Sequence, residues 1–217
     1  MLKLVIFDMD GTVFDTNKII YNSTKLLFEE YKKKLNFSET KKYFGTGAIT
    51  YLKKLAEKKG IKEDIKILLK KRRNYTNKIK LKPKIFPGIK KLLRELKKNK
   101  IKIALATGSS MHSVKRNMKE EKLKTHFDVI MTVDDVKNAK PNPEIFLKII
   151  KKLKTKRSEA LVIEDSIAGI EASKRAGIKV IALTNSFPKS RLKKADLIVD
   201  SAEKLNINTL NYMTTIK

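Results

Sequence analysis

Six short apolar runs, most of them rich in β-branched residues, recur along the chain. Runs of this length bounded by polar or turn residues are typical of buried strands. They cover residues 2–7, 101–106, 129–133, 160–163, 180–183 and 197–199. Between the later runs, apolar positions three and four residues apart predict helices at 89–99, 111–122, 143–153 and 167–176.

Alternating strands and helices predict an α/β fold, in which a parallel sheet carries helices on both faces. Ligands of such sheets bind beyond the carboxyl ends of the strands. We therefore look for functional residues where the predicted strands end.

Residues 15–84 interrupt this alternation. They show no strand pattern, and they predict helices at 16–34, 48–59 and 63–82, with a turn at 43–47. We interpret them as a helical insert that follows the first strand. The predicted organisation is a core of residues 1–14 and 85–217 and an inserted helical domain of residues 15–84.

The chain is strongly basic, with 51 Lys and Arg against 23 Asp and Glu and a formal net charge of +28. Residues 15–84 alone hold 21 basic and 7 acidic residues. Such an excess is a feature of nucleic-acid-binding proteins. Here most of it is lysine spread along the whole chain, as AT-rich codon usage produces, and we take such codon usage as the first explanation. The functional alternative is attraction of small anionic substrates. A basic nucleic-acid-binding protein is a less favoured function, because no recognisable nucleic-acid-binding module is present, and we expect no specific nucleic acid partner.

Cysteine is absent, which excludes disulfides, thiolate catalysis and zinc–thiolate sites. No run of 18 apolar residues is present, so we expect no membrane span. The apolar run 2–7 is too short for a signal peptide. These features lead us to expect a cytoplasmic protein.

Two acids, Asp8 and Asp10, follow the first predicted strand. Carboxylates two positions apart on an extended chain point the same way, and buried like charges repel unless a cation joins them. Mg²⁺ is the simplest such cation, because it prefers hard oxygen ligands. Gly11 then allows the chain to turn at once.

Polar residues also follow three later parts of the predicted sheet. Thr107, Gly108 and Ser109 come after the second core strand and can hold an anion with hydroxyl and N–H groups, although they can equally cap a helix. Lys140 precedes a proline at a helix start. By itself, a single lysine carries little weight in so lysine-rich a chain. Glu164 and Asp165 follow the strand 160–163.

These features gain force together, because a parallel sheet gathers strand ends along one edge. Two acid pairs, an anion-binding loop and one lysine form a site for a phosphoryl group and Mg²⁺. Their order and spacing resemble those of the haloacid dehalogenase-like hydrolases, across nearly the whole chain. The matching motifs are Asp8-x-Asp10-Gly11-Thr12, Thr107, Lys140-Pro141 and Glu164-Asp165-Ser166-x-x-Gly169-x-x-Ala172.

The resemblance implies a Rossmann-like core with a small helical cap, and an Mg²⁺-dependent phosphatase that acts on a small phosphorylated metabolite. Asp8 is implied as the nucleophile that forms an aspartyl-phosphate, and Asp10 as the general acid and base. The implied metal ligands are Asp8, Asp165, the backbone carbonyl of Asp10, and Glu164 directly or through water. The implied phosphate-binding residues are Thr107, Gly108, Ser109 and Lys140.

A sugar phosphomutase of the β-phosphoglucomutase type is the nearest alternative. Relatives of that type carry a cap histidine and a cap arginine, where this chain has Ile20 and Ala48, which favours water as the acceptor. The substrate stays open among phosphoglycolate, sugar phosphates, nucleoside monophosphates and pyrophosphate, and the protein is expected to be a monomer or dimer. Lys71, Arg72 and Arg73 are candidate anion contacts or part of a solvated helix face.

Overall fold

The computed structural model describes residues 1–119 and 123–215. The strands are β1 Leu4–Phe7, β2 Phe14–Asp15, β3 Lys84–Ile85, β4 Lys102–Ala106, β5 Val129–Met131, β6 Ala160–Glu164, β7 Lys179–Leu183 and β8 Leu197–Val199. The α-helices are α1 Asn17–Glu30, α2 Phe37–Lys41, α3 Ala48–Lys59, α4 Ile65–Lys78, α5 Ile89–Lys98, α6 Met111–Met118, α7 Glu144–Leu153, α8 Ile167–Arg175 and α9 Ile207–Thr215.

Six strands form one parallel sheet in the order β5-β4-β1-β6-β7-β8. This confirms the predicted α/β class with a Rossmann-like sheet. All four residues of β1 are buried, because the strand lies between β4 and β6 and is covered on both faces. Leu4 and Ile6 belong to the core cluster of α7 and α8, whereas Val5 and Phe7 belong to that of α5 and α6. The chain changes direction across the sheet at β1, so the carboxyl edge there is the expected place for a ligand.

The six predicted strands are all present, with ends that shift by up to two residues. The predicted helix 111–122 ends at Met118, and residues 120–122 of that prediction lie outside the described residues. Two helices were not predicted, α2 and α9. The first is a five-residue element, too short to show a helical period, and its first turn is held by a capping box between Asn36 and Glu39.

Helices α1 to α4 lie between β2 and β3, and buried apolar side chains from them belong to the same cluster as Leu4 and Ile6 of β1. Phe28, Leu52 and Leu68 are among these side chains. The expectation of no strand in 15–84 is wrong at the two ends, where Asp15 pairs with Lys84 in a two-residue antiparallel ribbon. So short a ribbon shows no period-2 pattern. The division of the chain into a core and an inserted domain stays a prediction.

No helix within the described ranges combines the length and apolar character needed to cross a membrane.

Candidate active site

Asp8 follows β1 directly, and its carboxylate is buried at the carboxyl edge of the sheet. The ammonium of Lys140 donates hydrogen bonds of 2.7 Å to Oδ1 of Asp8, 2.8 Å to Oε1 of Glu164 and 3.0 Å to the carbonyl of Ala106. Burial alone would lower the pKa of Lys140, but the charges of Asp8 and Glu164 outweigh it and raise that pKa. Lys140 therefore stays charged, and it contacts Asp8, which lies 132 positions earlier in the chain.

Glu164, the last residue of β6, is held by several donors. Its Oε2 accepts from the backbone N–H of Asp165 at 2.8 Å, and from the N–H and hydroxyl of Ser166 at 2.7 and 2.9 Å. Ser166 also caps α8, because its Oγ accepts from the N–H of Gly169 at 3.0 Å. These contacts leave Oε1 of Glu164 directed at Lys140.

Asp165 is held by two hydroxyl groups. Its Oδ1 accepts from Thr12 at 2.7 Å, and its Oδ2 accepts from Ser186, which in turn accepts from Asn17 at 2.7 Å. Gly11 adopts a φ of +89°, and a Cβ there would overlap the Asp165 carboxylate. Ser186 was not predicted. It follows the end of β7 at the same edge of the sheet, and this position is the signal that could have identified it.

Asp8, Glu164 and Asp165 form a group of three buried carboxylates. One oxygen of each lies within 4.8 Å of the others, which is close enough to share a cation. Burial raises the pKa of Asp8 well above its ordinary value. Burial, followed by the charge of Glu164, raises the pKa of Asp165 to about 8. The structure thus shows a buried acidic group that could hold a cation. Its assignment as an Mg²⁺ centre stays a prediction.

Asp10 turns toward hydroxyl groups and lies outside this group of three side chains. Its Oδ1 accepts from Thr16 at 2.7 Å, and its Oδ2 accepts from Ser109 at 2.6 Å and from Thr107 at 3.3 Å. The N–H of Ser109 donates to Oγ1 of Thr107 at 3.0 Å, which fixes the loop after β4. The structure thus brings the predicted residues of the first two motifs into direct contact. Coordination of a metal by Asp10 stays a prediction.

Asp8 and Asp10 line a narrow cleft of about 70 Å³ that is partly open to solvent. Its walls come from α1, the loop between α2 and α3, α4, and the chain around the start of α6. The loop touches the core, because Ala48 donates from its N–H to the carbonyl of Gly108 at 3.3 Å. A Cβ on Gly108 would lie 2.7 Å from the Cα of Gly47. The two loops therefore require glycine at their contact.

Three residues of α4 were predicted as candidate anion contacts, Lys71, Arg72 and Arg73. Of these, Arg72 lines the cleft. Lys71 instead pairs with Glu30 at 3.1 Å, and Arg73 is exposed. Arg116 of α6 also lines the cleft and was not predicted. Its sequence neighbourhood carries no motif, so only the fold brings it to the site.

Buried acids, a lysine and hydroxyl groups thus meet at the central carboxyl edge of a parallel sheet. This combination defines a class of hydrolase. The chain belongs to the haloacid dehalogenase-like hydrolases, whose family model matches residues 5–183. The predicted family and enzyme class are thereby confirmed.

Relatives and solved structures agree with this assignment. A Bacillus subtilis protein, YhcW, is 37% identical over 186 residues, which are 85% of this chain and 84% of that protein. A Thermotoga maritima protein named phosphorylated carbohydrates phosphatase is 32% identical over 185 residues, 83% of this chain and 84% of that protein. The structure of β-phosphoglucomutase from Clostridium difficile superposes with a TM-score of 0.87 and 27% identity, covering 99% of this chain and 97% of that one.

Proposed function

We propose that this protein is an Mg²⁺-dependent phosphatase that hydrolyses a small phosphorylated metabolite through an aspartyl-phosphate on Asp8. The contact of Lys140 with both Asp8 and Glu164, beside Asp165, carries the proposal. It places a fixed positive charge against a carboxylate that opens onto a cleft. Electrostatic stabilisation of this kind is the main requirement of phosphoryl transfer.

Asp8 is the proposed nucleophile. Its Oδ1 is engaged by Lys140 at 2.7 Å, so the carboxylate is held in one orientation. The carboxylate attacks phosphorus, the bond to the leaving oxygen breaks, and the phosphoryl group moves to Asp8. Lys140 offsets negative charge both before and after transfer.

Asp10 is the proposed general acid and base. Hydroxyl groups of Thr16, Thr107 and Ser109 hold its two oxygens in place. In the first step the protonated carboxyl group gives its proton to the leaving oxygen, and in the second the carboxylate takes a proton from the attacking water. That water then cleaves the aspartyl-phosphate and restores Asp8.

The proposed metal ligands are Asp8, Glu164 and Asp165, with the backbone carbonyl of Asp10. The fit rests on three buried carboxylates whose oxygens lie within 4.8 Å, an arrangement of like charges that a divalent cation stabilises. When bound, Mg²⁺ neutralises part of the charge on the reacting group. Beside it, the proposed phosphate-binding groups are Lys140, the Thr107 hydroxyl, and the backbone N–H groups of Gly108 and Ser109.

Residues 15–84 are the proposed cap domain, which closes over the cleft and selects the substrate. The proposed substrates are small anionic metabolites, and the Thermotoga relative is named for phosphorylated carbohydrates. We further propose that the protein acts in the cytoplasm, where such metabolites are made, as a monomer or dimer and without a specific nucleic acid partner.

A phosphomutase is the second candidate, because a β-phosphoglucomutase shares the fold at 27% identity. Two cleft residues count against it. Ile20 and Ala48 both line the cleft, and neither side chain can form a hydrogen bond that would direct a second sugar hydroxyl to the aspartyl-phosphate. Water is then the acceptor.

The test is a screen of phosphorylated metabolites with Mg²⁺, in which phosphate release and isomerised sugar phosphate are measured together. We expect phosphate release that Asp8→Asn abolishes. Formation of an isomerised sugar phosphate without net phosphate release would establish the mutase instead. Activity that persists in Asp8→Asn would refute both proposals.

A further inference from the structure

Arg72 projects from α4 into the cleft, and its guanidinium lies 5.8 Å from the ring centroid of Tyr51. The side chain is half-buried. Desolvation lowers the pKa of its guanidinium, whereas the charge of Asp10 acts in the opposite direction. Arg72 therefore lies close enough to the proposed general acid to interact with it electrostatically, yet it forms no ion pair with it.

Arg116 reaches the same cleft from the core. Its Nε and one terminal nitrogen donate to Oδ1 of Asn117 at 3.1 and 3.0 Å, so a neutral amide fixes the direction of the guanidinium. Asn117 is buried and its amide is neutral, so it supplies no countercharge. The carboxylate of Asp10 acts on Arg116 electrostatically, as it does on Arg72, without an ion pair among the described residues. Arg116 also lowers the pKa of Arg72 by repulsion, so the two cations face a shared space.

Neither arginine has a carboxylate within ion-pair distance in residues 1–119 and 123–215. This is unlike the half-buried lysines nearby, since Lys71 pairs with Glu30 and Lys59 with Glu39. Two partly desolvated like charges repel, and an anion placed between them removes that repulsion. The planar guanidinium suits carboxylate and phosphate oxygens, which it can bind with two parallel hydrogen bonds.

We propose that Arg72 and Arg116 bind a second anionic group of the substrate, a carboxylate or a phosphate, one arginine coming from the cap and the other from the core. The inference rests on the proposed function, because it takes the first phosphoryl group to be held at Asp8. It narrows the substrates to phosphorylated metabolites with two anionic ends. It also explains cap closure, since the second anion joins α4 to α6 across the cleft.

Binding of non-hydrolysable pairs tests the proposal without turnover. Calorimetry with Mg²⁺ compares phosphonoacetate with ethylphosphonate for a carboxylate, and methylenediphosphonate with methylphosphonate for a phosphate. In at least one pair, we expect the compound with two anionic groups, phosphonoacetate or methylenediphosphonate, to bind about 10- to 100-fold more tightly than its partner. This is the range given by hydrogen bonds to charged groups. The pair that shows the larger ratio identifies the second anion.

Substitutions test which residues cause the tighter binding of the compound with two anionic groups. Arg72→Gln and Arg116→Gln should each lower the affinity ratio about tenfold or more, whereas Arg72→Lys should keep part of it, because charge remains without the planar fork. Arg73→Gln is the matched control on the same helix and should leave the ratio unchanged, because Arg73 is exposed. Circular dichroism of each variant checks that it is folded.

Equal binding of both members of each pair by the unaltered protein would overturn the inference. So would an affinity ratio that neither Gln variant changes. The proposed function is judged separately, by phosphate release from the panel of phosphorylated metabolites in the same preparations, with Asp8→Asn as the reference. Hydrolysis without an affinity ratio refutes only the second anion site, and an affinity ratio without hydrolysis refutes only the phosphatase.

Discussion

Gly169 and Glu164 are packed so closely that a Cβ atom on Gly169 would overlap Oε1 of Glu164. Gly169 lies inside α8, so its place there is set by space for the glutamate and not by helix propensity. The same Oε1 accepts the hydrogen bond from Lys140 at 2.8 Å. The glycine thus leaves room for the carboxylate that orients the lysine.

Gly169→Ala should destabilise the protein and lower kcat. Ala normally stabilises a helix interior by about 1 kcal/mol relative to Gly, so the overlap with Glu164 must reverse the usual sign. We expect a loss of about 1–3 kcal/mol, the range for overpacked cores. Urea denaturation and steady-state kinetics measure the two effects. A stabilised variant with unchanged kcat would contradict the role given to this glycine.

Lys140→Met should lower stability at neutral pH by about 3–5 kcal/mol, because it leaves buried carboxylates without their cation. Burial already raises the pKa of Asp8, and loss of the lysine raises it further. Since a raised carboxyl pKa gives stability that is present at low pH and lost as pH rises, the deficit should shrink in acid. Urea denaturation without metal, repeated across pH, measures this dependence.

Lys148→Met is the matched control for that experiment. Lys148 pairs with Glu144 at 2.8 Å, but its side chain is 44% exposed, and exposed ion pairs contribute only about 0–1 kcal/mol. A deficit of similar size in the two variants, or one that does not change with pH, would show that Lys140 is not the cation that balances this site.

Affinity for Mg²⁺ should rise with pH. Burial raises the pKa of Asp165 to about 8 in the metal-free protein, and a carboxyl group must lose its proton to bind the ion. We expect about a tenfold gain in affinity per pH unit below that value and a plateau above it. Without metal the sign reverses, and stability should fall as pH rises from the unfolded-state pKa toward 8. Calorimetry and thermal unfolding measure the two effects, and a flat affinity profile would rule out Asp165 as a titrating ligand.

Gly108→Ala should disturb the contact between the loop after β4 and the loop before α3, because the new Cβ would press on the backbone of Gly47. We expect kcat/KM to fall roughly 10- to 100-fold, since small displacements at a reacting site have effects of this size. Gly60→Ala is the control. Gly60 follows the C-terminus of α3, and a Cβ added there would meet no atom within 4 Å. The substitution should therefore lower the stability by about 1–2 kcal/mol, because of the left-handed φ, and leave kcat/KM unchanged.

The core strands could be predicted because the local pattern and the tertiary role agree. Residues 4–7 are apolar at every position, as expected for a strand covered on both faces, and the acids begin where the cover ends. Asp8, Asp10, Glu164 and Asp165 could be proposed as site residues for the same reason. A parallel sheet aligns strand ends, so a residue just past a strand has a predictable place.

Other parts of the site carry less local signal. By itself Lys140 looks like many other lysines in this chain, and it was predicted because the Lys140-Pro141 pair matches a family motif. Only the tertiary structure buries its ammonium between Asp8 and Glu164. Arg116 lines the cleft because of where the fold places α6, and Arg72 because α4 packs against α1 and α3.

The sequence by itself determined the α/β alternation and the sheet edge that carries the candidate site, because a strand buried on both faces has consecutive apolar residues. The tertiary structure decided which cations meet which acids and which arginines enter the cleft. Those contacts join residues far apart in the chain, and they depend on distances between packed elements that no local pattern contains.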